Sequence, residues 1–353
     1  MSESLGNYVW SASGAVINVG WTYKRAGVDL DLHHEMHSYA IKSIRQLANK
    51  LGVRINEGAF TRFLDLNGFG LTLHVDGVGT KSLIAWATRR FRVLGWDCVI
   101  GNTNDIACDN AKPLAVVDYI ALRDNDVDAV RGVIDGVLEA LSRVGAVLLG
   151  GESAIMPDLV NGIDVVCAVL GIRNGPTEDV RVGDVVVGVS SGGLHMNGYT
   201  LARKVLLSRY KLDVQVCGEE LADALLKPTA DYGKLLLELY SSRLIRKAVH
   251  ITGGAFTKLR RVLGPGQGLY LEAPEPPCLF QEIQRVGGVG WDEMYRVFNM
   301  GVGLALFVNP EHVEEVLKVI NRWSINSWIL GRVVEDEGGV LRIRLWNGLE
   351  VRI

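Results

Sequence analysis

Asp76-Gly77-Val78-Gly79-Thr80-Lys81 packs an acid, two glycines, a hydroxyl and a cation into one short loop. It follows a β-like run, residues 71–75, and precedes a helix-like run, residues 82–88. A carboxylate there can bind Mg²⁺, the glycines let backbone N–H groups approach oxygen, and the lysine can neutralise phosphate. The spacing is not the G-x-x-x-x-G-K-[ST] of a Walker loop. An ordinary glycine-rich turn with a surface lysine is the competing reading. Two more acids stand at strand ends or beside glycine: Asp105, after Asn104, and Glu152, after Gly150-Gly151. Three carboxylates could hold a hard cation whose other ligands are phosphate oxygens and water. Taken singly, Asp105 also reads as a helix cap and Glu152 as a solvated loop residue.

The pairs Gly150-Gly151, Gly192-Gly193 and Gly253-Gly254 each follow an expected strand. Any one pair is explained by a tight turn. Three such junctions suggest backbone approaching a ligand, phosphate among the candidates. His195 stands two residues after the second pair and just before a helix, where it could shuttle a proton, touch phosphate or cap a turn. His250 precedes the third pair and reads as structural. His33 and His37 have metal-capable spacing on a helix, but surface polarity explains them.

The elements that must position these groups follow from periodicity. A helix is expected over 33–50 with Gly52 as its stop. Asn67-Gly68 between two β-like runs signals a type I′ hairpin, whose second strand delivers Asp76. Residues 99–112 should be partly helical, and 114–122 a buried strand. Val127, Val130, Ile134, Val137, Leu138 and Leu141 share one face of a helix that Gly145 ends. Residues 146–149 form a strand running into Gly150-Gly151. Turn residues cluster at Asn174-Gly175-Pro176-Thr177 and mark a domain boundary. Beyond it come a strand over 184–189, a helix over 197–208, and a helical stretch over 221–240 that Pro228 breaks. Strands over 249–252 and 303–308 follow, then a helix opened by Pro310. The chain from Trp328 is strand-rich. Repeated strand-then-helix order argues an α/β or α+β fold in both halves.

At 353 residues, 48% of them hydrophobic, the chain can build about two domains without staples. A net charge of −3 and no long basic run argue against a nucleic-acid surface. The five cysteines make no C-x-x-C, so neither a zinc site nor a disulfide framework is expected. The first twenty residues lack a basic n-region, and no apolar run approaches the ~20 residues of a membrane span. A reduced, cytoplasmic protein is the expectation.

Eight ordered segments together resemble the phosphoribosylformylglycinamidine cyclo-ligases, the aminoimidazole ribonucleotide (AIR) synthetases of purine biosynthesis. They begin with residues 23–29, Asp76–Lys81, Asn104-Asp105 and Gly150–Glu152. They continue with His195–Tyr199, Lys227–Thr229, His250–Gly254 and Met294–Gly303. The resemblance spans about residues 22–335. It implies a two-domain chain: a flexible extension over 1–21, a ferredoxin-like sheet-and-helix domain over 22–173 that binds ATP and dimerises, and a mixed α/β domain over 174–353. It implies an ATP-dependent ring closure of formylglycinamidine ribonucleotide. ATP phosphorylates the formyl-amide oxygen, the amidine nitrogen attacks, and phosphate leaves.

By the same resemblance Asp76, Asp105 and Glu152 are associated with Mg²⁺. Gly77, Val78, Gly79, Thr80, Lys81, Gly150 and Gly151 belong to the nucleotide side. Lys24 lies on a segment that closes over nucleotide, and His195 and Asn197 lie near the substrate. For the substrate's ribose phosphate, Ser191, Gly192, Thr252, Gly253 and Gly254 are candidates. Three departures stand out: Asn110 where the superfamily has glycine, Ser153 for threonine, and a hairpin reduced to Asn67-Gly68. Among relatives of the fold, selenophosphate synthetase needs a reactive cysteine in its N-terminal segment, whereas the first cysteine here is Cys98. The hydrogenase-maturation dehydratase needs one at its C-terminus, and this chain ends Glu350-Val-Arg-Ile353. A nucleotide-binding regulator without turnover is the reading from another class.

Overall fold

Asn67 and Gly68 have φ of 54° and 91°, the two left-handed residues a type I′ turn requires. Asp65 Oδ1 accepts from the Gly68 N–H at 2.9 Å and fixes the turn. The hairpin joins strands Arg62–Leu66 and Phe69–Gly77 in a six-stranded sheet. Its order is Ile55–Glu57, Arg62–Leu66, Phe69–Gly77, Ile163–Arg173, Ala111–Leu122, Val147–Ile155. Only the last pair is parallel, and the helix Val127–Val144 makes that crossover. Asp126 caps this helix through the Ala129 N–H, and Gly145 at φ 80° ends it, as its sequence signals. The computed structural model describes residues 8–10, 16–18 and 20–353.

Strand periodicity assigns the two faces of this sheet. Thr72, His74, Asp76, Cys167, Val169, Val116, Asp118 and Ile120 point to one face, which the helices Arg92–Cys108 and Val127–Val144 cover. The two helices lie unusually close. A Cβ on Gly95 would meet Val133 O at 1.9 Å, and one on Gly136 would meet Arg92 O at 1.9 Å. From Leu94 to Cys108 every residue but Trp96 is buried, which is why this helix shows no amphipathic signal in sequence. On the opposite face Leu73, Val75, Val117 and Tyr119 remain exposed.

The second sheet has seven strands: Lys247–His250, Val302–Val308, Val185–Ser190, Ser327–Glu335, Gln267–Glu272, Leu341–Arg344, Glu350–Arg352. Val302–Val308 is apolar throughout and buried at every position, as an interior strand covered on both faces must be. Pro228 separates the short helix Leu221–Leu225 from Gly233–Ser241. The first sheet ends at Arg173 and the second begins at Val185, and we propose the domain division at residue 174 between them. Asn110 adopts φ 58° and its Nδ2 donates to Gly175 O at 3.2 Å. The left-handed turn therefore survives the loss of glycine.

Two expectations need correction. Cys217 and Cys278 form a disulfide with 5.8 Å between their Cα atoms, 61 residues apart in sequence. No local spacing could reveal a pair that only the fold brings together. Gly150-Gly151 does not follow a strand but lies inside Val147–Ile155, past a register shift at Leu149. The flexible extension over 1–21 falls largely outside the described residues. Within it, Tyr8–Trp10 and Val16–Asn18 pair antiparallel.

Candidate active site

The end of the interior strand Phe69–Gly77 and the helix behind it meet loops of the second domain. Asp76 closes its strand and accepts from the Gly77 N–H at 2.8 Å. Although its side chain is solvent-exposed, desolvation by the surrounding protein and the nearby Asp105 carboxylate raise its pKa. Asp105 comes from the buried helix behind the strand. Its Oδ1 lies 2.7 Å from His250 Nδ1, and its Oδ2 lies 3.6 Å from His74 Nε2. Burial pushes its carboxyl up, but Lys258, His250 and His74 outweigh this and hold it well below the usual carboxylate range. His74 is oriented in turn by Asn102 Oδ1 at 2.7 Å. Asp76 and Asp105 are thus neighbouring anions, and such a donor set fits a hard divalent cation.

Glu152 does not join them. It pairs with Tyr119, on the open face of the sheet and three strands from Asp76. Among the described residues no group of three His, Cys, Asp or Glu is placed to hold a metal. Gly151 has a structural explanation: a Cβ there would meet Asp118 Oδ1 at 1.8 Å.

Lys81 also departs from expectation. It is wholly buried, with Nζ 2.5 Å from Asp97 Oδ2, 3.1 Å from His195 O and 2.6 Å from Lys227 O. The ammonium points away from the glycine loop and ties the two domains together. Asp97 Oδ1 completes this knot by accepting from the Thr229 N–H at 2.7 Å. The rest of the loop stays near the cleft. Val78 is buried, Gly79 takes φ 65°, and Thr80 Oγ1 lies 3.1 Å from Thr200 Oγ1 across the domain interface.

The second-domain loops converge. Gly192 N–H donates to His195 Nε2 at 3.1 Å, leaving the buried Nδ1 without a partner. Burial, with His250 and Lys81 nearby, lowers the His195 pKa well below its ordinary value. Ser191 Oγ lies 3.2 Å from Asn299 Oδ1, and Asn299 Nδ2 donates to Gly193 O at 2.8 Å. A Cβ on Gly192 would meet Pro228 O at 2.7 Å, so this loop is clamped from both sides. A Cβ on Gly253 would lie 3.0 Å from Asn197 Oδ1, which brings the His195 and Thr252–Gly254 loops together. His250, read as structural, proves to be the residue that positions Asp105 across the interface.

Lys24 is exposed and its Nζ pairs with Asp29 Oδ2 at 2.7 Å. Its segment is fastened to the second domain, through Trp21 N–H to Gly287 O at 2.8 Å and Tyr23 N–H to Glu293 Oε1 at 2.6 Å. A cavity of about 730 Å³ is lined by residues including Arg89, Arg90, Arg92 and Lys227 and holds none of the expected site residues. Each of those cations already has an acidic partner. Reading the sequence missed Lys258, Asp97 and Asn299. Lys258 could have been suspected from its place four residues after Gly254. Asp97 lies inside an unpatterned helix and carries no mark.

Residues 57–173 match the N-terminal domain of the AIR synthase related proteins, and residues 181–344 match their C-terminal domain. A phosphoribosylformylglycinamidine cyclo-ligase of Saccharolobus solfataricus is 39% identical over 321 residues, covering 90% of this chain and 94% of that protein. One of Thermococcus kodakarensis is 39% identical over 330 residues, covering 90% and 96%. T. maritima PurL complexed with AMPPCP shares the fold at a TM-score of 0.55 and 16% identity, over 86% of this chain and 45% of that one. With both domains matched and relatives at this identity over nearly the whole length, the chain belongs to the phosphoribosylformylglycinamidine cyclo-ligase family of AIR synthase related proteins.

Proposed function

We propose that this chain closes the imidazole ring of formylglycinamidine ribonucleotide with one ATP, giving 5-aminoimidazole ribonucleotide, ADP and phosphate. The observation that carries the reading is the meeting of Asp76 and Asp105 with the His195–Asn197 and Thr252–Gly254 loops at one domain interface. A phosphotransferase of general type needs the carboxylates and has no use for a second set of clamped loops. An amide oxygen is a poor leaving group, and phosphorylating it makes ring closure feasible. Asp76 and Asp105 would hold Mg²⁺, whose chemistry is to neutralise phosphate charge. Asp105 is kept ionised for that task by His250 and Lys258. Gly77 and Gly79 present backbone where phosphate must approach closely. Asn197 faces Gly253 and can orient the substrate. ATP as the nucleotide is supported by the family and by the AMPPCP bound in PurL.

We further propose a homodimer joined through the open face of the first sheet, and a cytoplasmic location. A coupled assay following ADP release and aminoimidazole ribonucleotide formation tests the reaction. With the formyl oxygen isotopically labelled, the label must appear in inorganic phosphate. Label retained in the organic product, or ADP formed equally fast without the ribonucleotide, rejects the reading.

A further inference from the structure

Lys258 belongs to none of the segments that carry the family resemblance. It lies on the 3-10 segment Ala255–Val262, immediately after His250–Gly254. Its Nζ donates to Thr252 Oγ1. Two residues before Thr252, His250 Nδ1 holds Asp105 Oδ1 at 2.7 Å. One turn of the second domain therefore holds both the ammonium and the Asp105 carboxylate. On its other side Nζ lies 5.2 Å from the centroid of the Phe60 ring. The backbone that carries the ring is anchored, because the Phe60 N–H donates to Asp109 Oδ2 at 2.8 Å. The aromatic face and the Thr252 hydroxyl give the ammonium a directed position, with the Asp105 and Asp76 carboxylates within electrostatic range. Burial lowers its pKa, while Asp105 and Asp76 favour its charged form. Lys81, the lysine of the glycine loop, is committed to Asp97 and two carbonyls in the interior.

We propose that Lys258, delivered by the second domain, is the cation that meets the phosphoryl group at the Asp76–Asp105 site, in place of Lys81. This rests on the phosphoryl-transfer reading above. In the first step the bond from phosphorus to the ADP oxygen breaks as the bond to the formyl oxygen forms. In the second the carbon–oxygen bond to phosphate breaks as the nitrogen–carbon bond forms, and the amidine nitrogen loses its proton. Lys258 gives up no proton in either step. It supplies fixed positive charge where negative charge gathers on phosphoryl oxygens. Coming from the opposite domain, it also makes that charge depend on the domains being docked.

The test compares wild type, K258M, K258R and K81M by AMPPCP binding with Mg²⁺, by turnover and by thermal unfolding. K258M should keep its Tm, weaken AMPPCP about tenfold and lower kcat by about a hundredfold, the scale of losing one preorganised donor. K258R should recover part of both. K81M should instead lose Tm, since it strands a buried carboxylate. The proposal is overturned if K258M binds AMPPCP and turns over within about threefold of wild type. It is equally overturned if the K258M losses follow a fall in Tm that K258R does not relieve. Should the wild type bind AMPPCP but not convert the ribonucleotide, the cyclisation reading fails, and the binding comparison still decides the role of Lys258.

Discussion

Asp76 can be tested with little structural disturbance, because its carboxylate accepts from its own neighbour's N–H and holds no distant element. Asp76→Asn keeps the shape and removes a hard anionic oxygen. ATP turnover should fall by about a hundredfold and recover partly at raised Mg²⁺. Unchanged Mg²⁺ dependence would remove Asp76 from the metal site. Asp105→Asn is a less clean experiment, since it also disturbs the bond to His250. His195 makes a separate, pH-linked prediction. Its imidazole is buried and held neutral, with its pKa far below the ordinary 6.5. The unfolded chain binds a proton below pH ~6.5 that the folded chain refuses. Stability contributed by the neutral ring is therefore complete above that pH and is lost as pH falls toward the folded pKa. The loss approaches about 1.4 kcal/mol per unit. His195→Asn, which tolerates the φ of 59° found there, should flatten this part of the urea-unfolding profile between pH 7 and 5.5. Parallel wild-type and variant profiles would refute the assignment.

At the scale of elements, the Cys217–Cys278 bond joins the hairpin turn after Val216 to the first residue of the helix Cys278–Gly287. Pro277 beside it packs against Gly301, where an added Cβ would lie 2.6 Å from Pro277 Cδ. Gly301 O in turn accepts from the Ser191 N–H at 2.9 Å. The crosslink thus staples the scaffold behind the Ser191–Gly193 loop. Closing a loop of 61 residues contributes about 4 kcal/mol in the chain-entropy picture. Cys217→Ser, or dithiothreitol on the wild type, should shift denaturant unfolding by an amount of that order. Reductant should leave the variant unmoved. Equal midpoints for oxidised and reduced wild type would mean that the bond is absent or idle in solution.

At the scale of the molecule, the open sheet face leaves a cluster of large apolar side chains exposed. Leu73 is 77% exposed, Val75 65% and Leu149 70%, and Val117 and Tyr119 lie beside them. A monomer rarely leaves such a patch uncovered. We predict a light-scattering mass near twice the 38.6 kDa of one chain. Val75→Glu should halve it, placing an unpaired charge in the apolar patch. A single-chain mass for the wild type across micromolar concentrations would end the proposal.

The sequence alone determined the local events: the Asn67-Gly68 turn, the Gly145 stop, the Pro228 break and the left-handed Asn110. Each is fixed by backbone sterics and neighbouring hydrogen bonds, so a few residues suffice to specify it. It also determined membership of the family, because ordered motifs survive as strings. Tertiary structure alone decided the rest. Lys81 turned inward to Asp97, while Lys258 was brought near enough to act electrostatically on Asp105, because only the docking of two domains decides which lysine lies beside which carboxylate. Glu152 fell on the far face because strand parity and a shifted register, not proximity in sequence, decide which way a side chain points. Cys217 found Cys278 for the same reason: a crosslink answers to distance in space, and residues 61 positions apart carry no local record of it.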